Sequence, residues 1–193
     1  MDLKTKFELK PGAATREAYG AALAELGKKN PNIVVLDADL AKSTFSAKFQ
    51  EQFPDRFFTC GIAEANMVGI AGGLALSGKI PFASSFAVFL CDKGYDQLRM
   101  SIAYPHVNAK FCGSHGGISI GEDGPSQQSV EDLALMCALP GFTVLVHASK
   151  LTILRVSRIE MKTAEDAEDA EEKRTLIICG AKRRGRRWRC GAG

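Results

Sequence analysis

Apolar positions along the chain follow two alternating rhythms. From residue 14 onward, stretches with helical spacing give way to short continuous apolar runs and back again, the pattern of a parallel sheet wrapped by helices. Residues 15–27 set Ala18, Ala22, Leu23 and Leu26 on one helical face, with Thr15 as the candidate cap and Pro31-Asn32 as the stop. Ile33-Val34-Val35-Leu36 reads as a buried strand that ends in Asp37-Ala38-Asp39-Leu40. A second helix is expected from about residue 43 to 52, where Pro54 halts it, followed by a strand at Phe57-Phe58-Thr59-Cys60. Residues 62–76 read as a helix despite Gly69, Gly72 and Gly73, which cost helix stability unless another backbone comes close.

The alternation continues with a strand over 80–85, a helix over 86–103 and a strand over 107–113. A polar, glycine-rich stretch over 114–129 comes next, and a loop that long in a compact domain is more often functional than filler. A helix over 130–137 and a strand over 142–147 complete the series. The expected fold is α/β: a doubly wound, mostly parallel sheet flanked by helices, with its ligand site at the carboxyl ends of the strands.

The character changes after Lys150. Residues 160–172 carry seven acids and suggest a solvated helix, Thr175 to Gly180 (TLIICG) suits one strand, and residues 182–189 hold six basic residues in eight. The reading is therefore a domain over 1–150 and an atypical tail over 151–193, acidic and then basic, that lacks the core periodicity of the body.

Charge supports that division. The formal net charge of the 193 residues is +3, yet residues 1–150 hold 14 Lys+Arg against 15 Asp+Glu, so the positive excess lies wholly in the tail. The body is not built to bind a polyanion; only the segment from Lys182 to Arg189, with Trp188 available to stack, offers phosphate contacts. The six cysteines are scattered without C-x-x-C spacing, and several sit in apolar runs, as reduced buried thiols do. The N-terminus has no apolar signal-like core and no run approaches the ~18 apolar residues of a membrane span, so a cytoplasmic protein is expected.

Candidate chemistry gathers where this fold puts a site: Asp37 and Asp39 after the first strand, Glu64 opening the glycine-containing helix, and Ser114-His115 with Glu122-Asp123-Gly124 in the long loop. Each has a structural explanation on its own. Asp39 can cap a helix, Glu64 can answer a helix dipole, His115 can be a solvated loop residue, and Phe86 and Phe89 at i, i+3 can be core. A phosphate loop, a dinucleotide fingerprint, a G-x-S-x-G elbow and zinc-ligand spacing are all missing from the sequence.

Several segments occur together in one order: Ala14-Thr15-Arg16, Asp39-Leu40-Ala41-Lys42-Ser43-Thr44-Phe45, Gly61-Ile62-Ala63-Glu64-Ala65-Asn66-Met67, Ser84-Ser85-Phe86-Ala87-Val88-Phe89, Gln97-Leu98-Arg99-Met100 and the run from Gly113 to Gln127 (GSHGGISIGEDGPSQ). Over about residues 5–148 this set resembles the pyrimidine-binding domain of transketolase. The resemblance implies a thiamine diphosphate cofactor with Mg²⁺ held mainly by a partner chain, and transfer of a two-carbon ketol unit between sugar phosphates. It implies that Glu64 hydrogen-bonds the cofactor's pyrimidine ring, that Phe86 and Phe89 wall that ring, and that Asp39 lies near it at the subunit interface. It also implies that Arg16, Ser43 and His115 hold the sugar phosphate, that Asp123 reads a substrate hydroxyl, and that Gln127 lines the substrate site.

Three departures shape the expectation. Gln127 stands where many members carry histidine, which shifts the subgroup. Asp92 stands where the family often has Tyr or Arg. The diphosphate-binding domain with its G-D-G...N metal pattern is absent from the sequence. The chain thus reads as the pyrimidine-binding part of a two-chain transketolase, working with a diphosphate-binding N-terminal subunit in a homodimer of such pairs, with no metal site of its own. The alternatives are a deoxyxylulose-phosphate synthase-like or 2-oxo acid dehydrogenase beta-like subunit, and a non-catalytic chain with a basic interaction tail.

Overall fold

Strand alternation sorts the side chains of this protein between two helical layers, and the sorting determines where the polar groups end up. The computed structural model describes residues 14–118, 120–147, 175–180 and 186–189, with His147 and the last two segments described by backbone. The acidic helix expected over 160–172 lies outside the described residues.

Helix α1 (Thr15–Lys29) leads into β1 (Ile33–Asp37), short helices α2 (Ala41–Thr44) and α3 (Ala47–Gln50), edge strand β2 (Phe57–Thr59), α4 (Glu64–Leu76) and β3 (Ile80–Phe86). A helical run over residues 89–103 follows, π-wound at Phe89–Lys93 and Leu98–Ala103 around one α-turn, α5 (Tyr95–Gln97). Then come β4 (Lys110–Gly116), α6 (Asp132–Cys137), β5 (Thr143–His147), β6 (Thr175–Gly180) and β7 (Arg186–Arg189). The seven strands are ordered β2-β1-β3-β4-β6-β5-β7, all parallel except β7, which runs antiparallel to β5. The mostly parallel, helix-flanked sheet expected from the sequence is what forms.

Because successive side chains of a strand point to opposite faces, Ile33 and Val35 of β1, Phe82 of β3 and Cys112 of β4 pack with Ala18, Leu23 and Leu26 of α1. Leu36, Ala83 and Phe111 face the other way, against Met67, Val68 and Ala71 of α4 and Leu90, Leu98 and Ile102 of the helical run. The same alternation carries Ser84 to the α1 side, where its hydroxyl meets Tyr19 Oη at 2.7 Å, and Ser85 to the α4 side.

The structure departs from the sequence expectations in four local respects. Ala14 takes the N-cap position of the first helix and no side chain caps it, so Thr15 is its first residue rather than its cap. The helix expected over 43–52 is broken at Phe45, whose φ is 63°. Buried Asp37 accounts for the break: its carboxylate accepts bonds from Leu40 N (2.6 Å), Thr44 Oγ1 (2.9 Å) and Ser46 Oγ (2.8 Å), wrapping the chain around itself. Strand β4 starts three residues later than the periodicity suggests and runs to Gly116, so Ser114 and His115 belong to a strand end rather than to the loop. Finally, the strand expected at Thr175–Gly180, in a segment read as a tail apart from the body, lies inside the sheet between β4 and β5.

Among the helix glycines, the close approach they imply is made at Gly72, where a Cβ would lie 2.9 Å from Ser101 O; Gly69 and Gly73 face open space. The tightest approach is at Gly20 of α1, where a Cβ would lie 2.3 Å from Phe45 O. Gly20→Ala should therefore push α1 off the Phe45 turn at a cost of about 1–3 kcal/mol, read as a lower urea midpoint at unchanged m-value.

Candidate functional site

In a doubly wound sheet the crevice opens where chain direction reverses, and here that point lies between β1 and β3, since β2 flanks β1 on one side and β4 follows β3 on the other. The carboxyl ends of these strands carry Asp37, Ser85 and Phe86, and β4 adds Ser114 and His115.

Glu64, the first residue of α4, is only 2% exposed. Ser85 Oγ donates to its Oε1 at 3.1 Å, while Oε2 has no hydrogen-bond partner. The Lys93 ammonium stands 3.6 Å from Oε2, near enough to balance charge and too far for a good hydrogen bond. Buried acceptors are nearly always satisfied. A carboxylate oxygen held ready at a strand-end crevice is thus shaped for a donor that comes from outside the chain. Beside it, Phe86 and Phe89 stack with centroids 5.8 Å apart and an interplanar angle of 13°, forming a flat apolar wall.

The second cluster centres on Arg16. Its Nη1 donates to Ser43 O and to His115 Nε2, each at 3.1 Å. A guanidinium can only donate, so Nε2 accepts, the neutral imidazole carries its proton on Nδ1, and Nδ1 donates to Ser114 Oγ at 2.8 Å. Ser114 Oγ in turn donates to Ser85 O at 3.4 Å, linking this cluster to the strand that orients Glu64. Burial, then the Arg16 charge, lowers the His115 pKa, and Asp123 opposes them, so the neutral ring is favoured. A left-handed φ of 58° at His115 and a register shift between Ser114 and Gly116 break the alternation of β4 and turn the ring toward Arg16 and Phe86, whose centroid is 4.2 Å away.

Of the residues singled out from the sequence, Arg16, Ser43, His115, Phe86 and Phe89 are brought together, with Glu64 next to them through Ser85. Ser43 takes part through its carbonyl rather than its hydroxyl. Asp123 is exposed and reaches His115 electrostatically, Gln127 accepts a bond from the Ser126 hydroxyl, and Asp39 sits exposed with φ 66° just beyond β1. Sequence reasoning missed Ser85 and Lys93. Ser85 was legible as half of a polar pair inside an otherwise apolar strand, whereas nothing in the local pattern marks Lys93.

The comparisons with known proteins now have a site to bear on. The family model for the transketolase pyrimidine-binding domain matches residues 11–166. This chain belongs to that family. A Methanocaldococcus jannaschii protein, whose name calls it the C-terminal section of a transketolase, is 52% identical over 130 residues, covering 67% of this chain and 41% of that protein. Human transketolase is 52% identical over 132 residues, 68% of this chain and 21% of the human protein. The chain thus spans less than half the length of these relatives. A split-gene transketolase, solved as an inactive β4 tetramer, superimposes with a TM-score of 0.72 at 47% identity over 88% of this chain and 52% of that one. Campylobacter jejuni transketolase shares the fold with a TM-score of 0.75 at 24% identity.

Asp92 forms part of a carboxylate group with Glu131 and Asp132. Burial, then a hydrogen bond with Glu131 and the charges of Glu131 and Asp132, push its pKa up to about 6. The unfolded chain sheds this proton near pH 3.8 and the folded chain at about 6, so stability falls as pH rises between those values and stays lowered above them. Asp92→Asn should therefore raise the urea midpoint at pH 8 and leave it nearly unchanged at about pH 3.

Proposed function

We propose that this chain is the pyrimidine-binding part of a transketolase that works with a separate diphosphate-binding chain, moving a two-carbon ketol unit between sugar phosphates. The observation that carries the reading is the unpartnered, buried Glu64 Oε2 beside the stacked Phe86 and Phe89. An aminopyrimidine offers what this arrangement lacks: a flat ring for the wall and a ring nitrogen that can share a proton with a buried carboxyl. Thiamine diphosphate supplies the electron sink that lets a ketose carbon–carbon bond break. Glu64 holds the proton shared with the ring, Ser85 fixes the carboxyl's rotation, and the aromatic pair excludes water. Asp39, exposed past the end of β1, faces the cofactor from the subunit boundary.

Arg16, with the Ser43 turn and neutral His115, forms the cationic end suited to a sugar phosphate dianion. Asp123 reads a substrate hydroxyl and Gln127 completes that wall. The neutral ring of His115 also leaves it able to hold or pass a proton, and we count it with Glu64 as catalytic.

Mg²⁺ and the diphosphate are assigned to the partner chain, in a homodimer of such pairs. Support for a docked partner comes from α4. Ile70 and Leu76 are exposed, as is Ile62 just ahead of the helix, and Gly69 and Gly73 leave its outer face open to close approach by another helix. No helix among the described residues is long and apolar enough to cross a membrane. The scattered cysteines, read as reduced thiols, are the ground on which we assign the chain to the cytoplasm.

Turnover by this chain mixed with a diphosphate-binding transketolase chain, thiamine diphosphate and Mg²⁺ tests the reading. Xylulose 5-phosphate with ribose 5-phosphate should react only when both chains are present. Glu64→Gln should lower kcat by about 10²–10³-fold with the fold intact by circular dichroism. Product from pyruvate with glyceraldehyde 3-phosphate alone would assign the chain to the synthase class instead, and turnover without a partner would remove the two-chain requirement.

A further inference from the structure

We propose that Lys93 is the resident counter-ion of Glu64, balancing the buried carboxylate at Oε2 in the cofactor-free chain and giving up that position when a ring donor takes Oε2. This rests on the reading of Glu64 given above and assigns a positioning role to a residue outside the family's motifs.

Three observations meet at this side chain. The Lys93 ammonium lies 3.6 Å from Glu64 Oε2, the carboxylate oxygen with no hydrogen-bond partner. The same ammonium lies 4.4 Å from the centroid of Phe89, the outer ring of the aromatic wall. The Lys93 side chain is 51% exposed, whereas that of Glu64 is 1% exposed, so one partner can swing into water and the other cannot. A buried carboxylate without a counter-charge is strongly unfavourable. A half-exposed lysine on a flexible stem is the least costly way to supply that charge and still leave the site open.

The local backbone makes this reach possible. Phe89–Lys93 is π-wound, a winding that accommodates an additional residue in a helix and recurs at functional sites. Gly94 follows, where a Cβ would lie 2.6 Å from Leu90 O. This tight turn sets Lys93 over the Phe89 ring and toward the start of α4. An incoming aromatic ring would claim both of the contacts that Lys93 makes, the face of Phe89 and the free oxygen of Glu64. Lys93 therefore holds the site in a charge-balanced form until the ring arrives, and its displacement subtracts from the affinity of the site.

A double-mutant cycle on the full chain tests the counter-ion role without cofactor. Lys93→Met should lower the folding equilibrium constant at pH 7.5 by about tenfold in the wild-type background, and by less than about twofold once Glu64 is Gln. Lys93→Arg, which keeps the charge, should restore most of the loss. Equal effects of Lys93→Met in both backgrounds would overturn the counter-ion. Calorimetric titration of the chain paired with a diphosphate-binding transketolase chain, using thiamine diphosphate and Mg²⁺, tests displacement: the Lys93→Met pairing should bind several-fold tighter than wild type, because a competitor is gone. Unchanged or weaker binding by Lys93→Met would overturn the displacement. If the cycle shows coupling while neither pairing with the partner chain binds thiamine diphosphate, the displacement falls together with the reading of Glu64 as a cofactor group, and the ion pair alone stands.

Discussion

A carboxylate removed from water needs its compensation within a few ångströms, and Glu64 finds only half of it inside this chain. One oxygen is bound by Ser85; the other faces an aromatic wall with a half-exposed lysine at ion-pair distance. Such a group is retained at a cost in stability that a purely structural role does not require. Much of the surrounding architecture serves to hold it in that condition. The alternation of β3 sends Ser85 to the α4 side, the packing of Met67, Val68 and Ala71 fixes the first turn of α4, and the switch point between β1 and β3 leaves the crevice open above it.

A second buried acid plays the opposite part. Asp37 is satisfied by three donors from the segment that follows it, and burial, the largest influence, raises its pKa while those bonds lower it. Its role is to shape backbone: it breaks the expected helix at Phe45 and presents Ser43 O to Arg16. The two carboxylates show how one residue type is used twice on the same crevice, fully bonded where geometry must be fixed and half-bonded where chemistry must be done.

The order of elements was legible in the sequence because each apolar run carries its own periodicity. Strand β1 and the bulk of α4 fall where that pattern puts them. What could not be read locally came from contacts between distant residues. The break at Phe45 depends on Asp37 eight residues earlier and on Gly20 of α1; the placement of His115 depends on a left-handed residue and a register shift in β4. The π-winding at Phe89–Lys93 and Leu98–Ala103 has the same apolar residues as an α-helix would, so no periodicity distinguishes it. The position of β6 within the sheet follows from strand pairing that local sequence does not encode. At the site, Glu64, Arg16 and His115 were found through motif order, whereas Ser85 and Lys93 emerge only once β3 and the π-turn are folded against α4.

The central claim is that Glu64 Oε2 is the acceptor for the aminopyrimidine ring. The most direct measurement is a crystal structure of this chain bound to thiamine diphosphate and Mg²⁺ in the presence of a diphosphate-binding partner chain. The account predicts a pyrimidine ring nitrogen within hydrogen-bond distance of Glu64 Oε2, the ring against Phe86 and Phe89, and Lys93 turned away. A ring bound elsewhere, with Glu64 and Lys93 still paired, would contradict it.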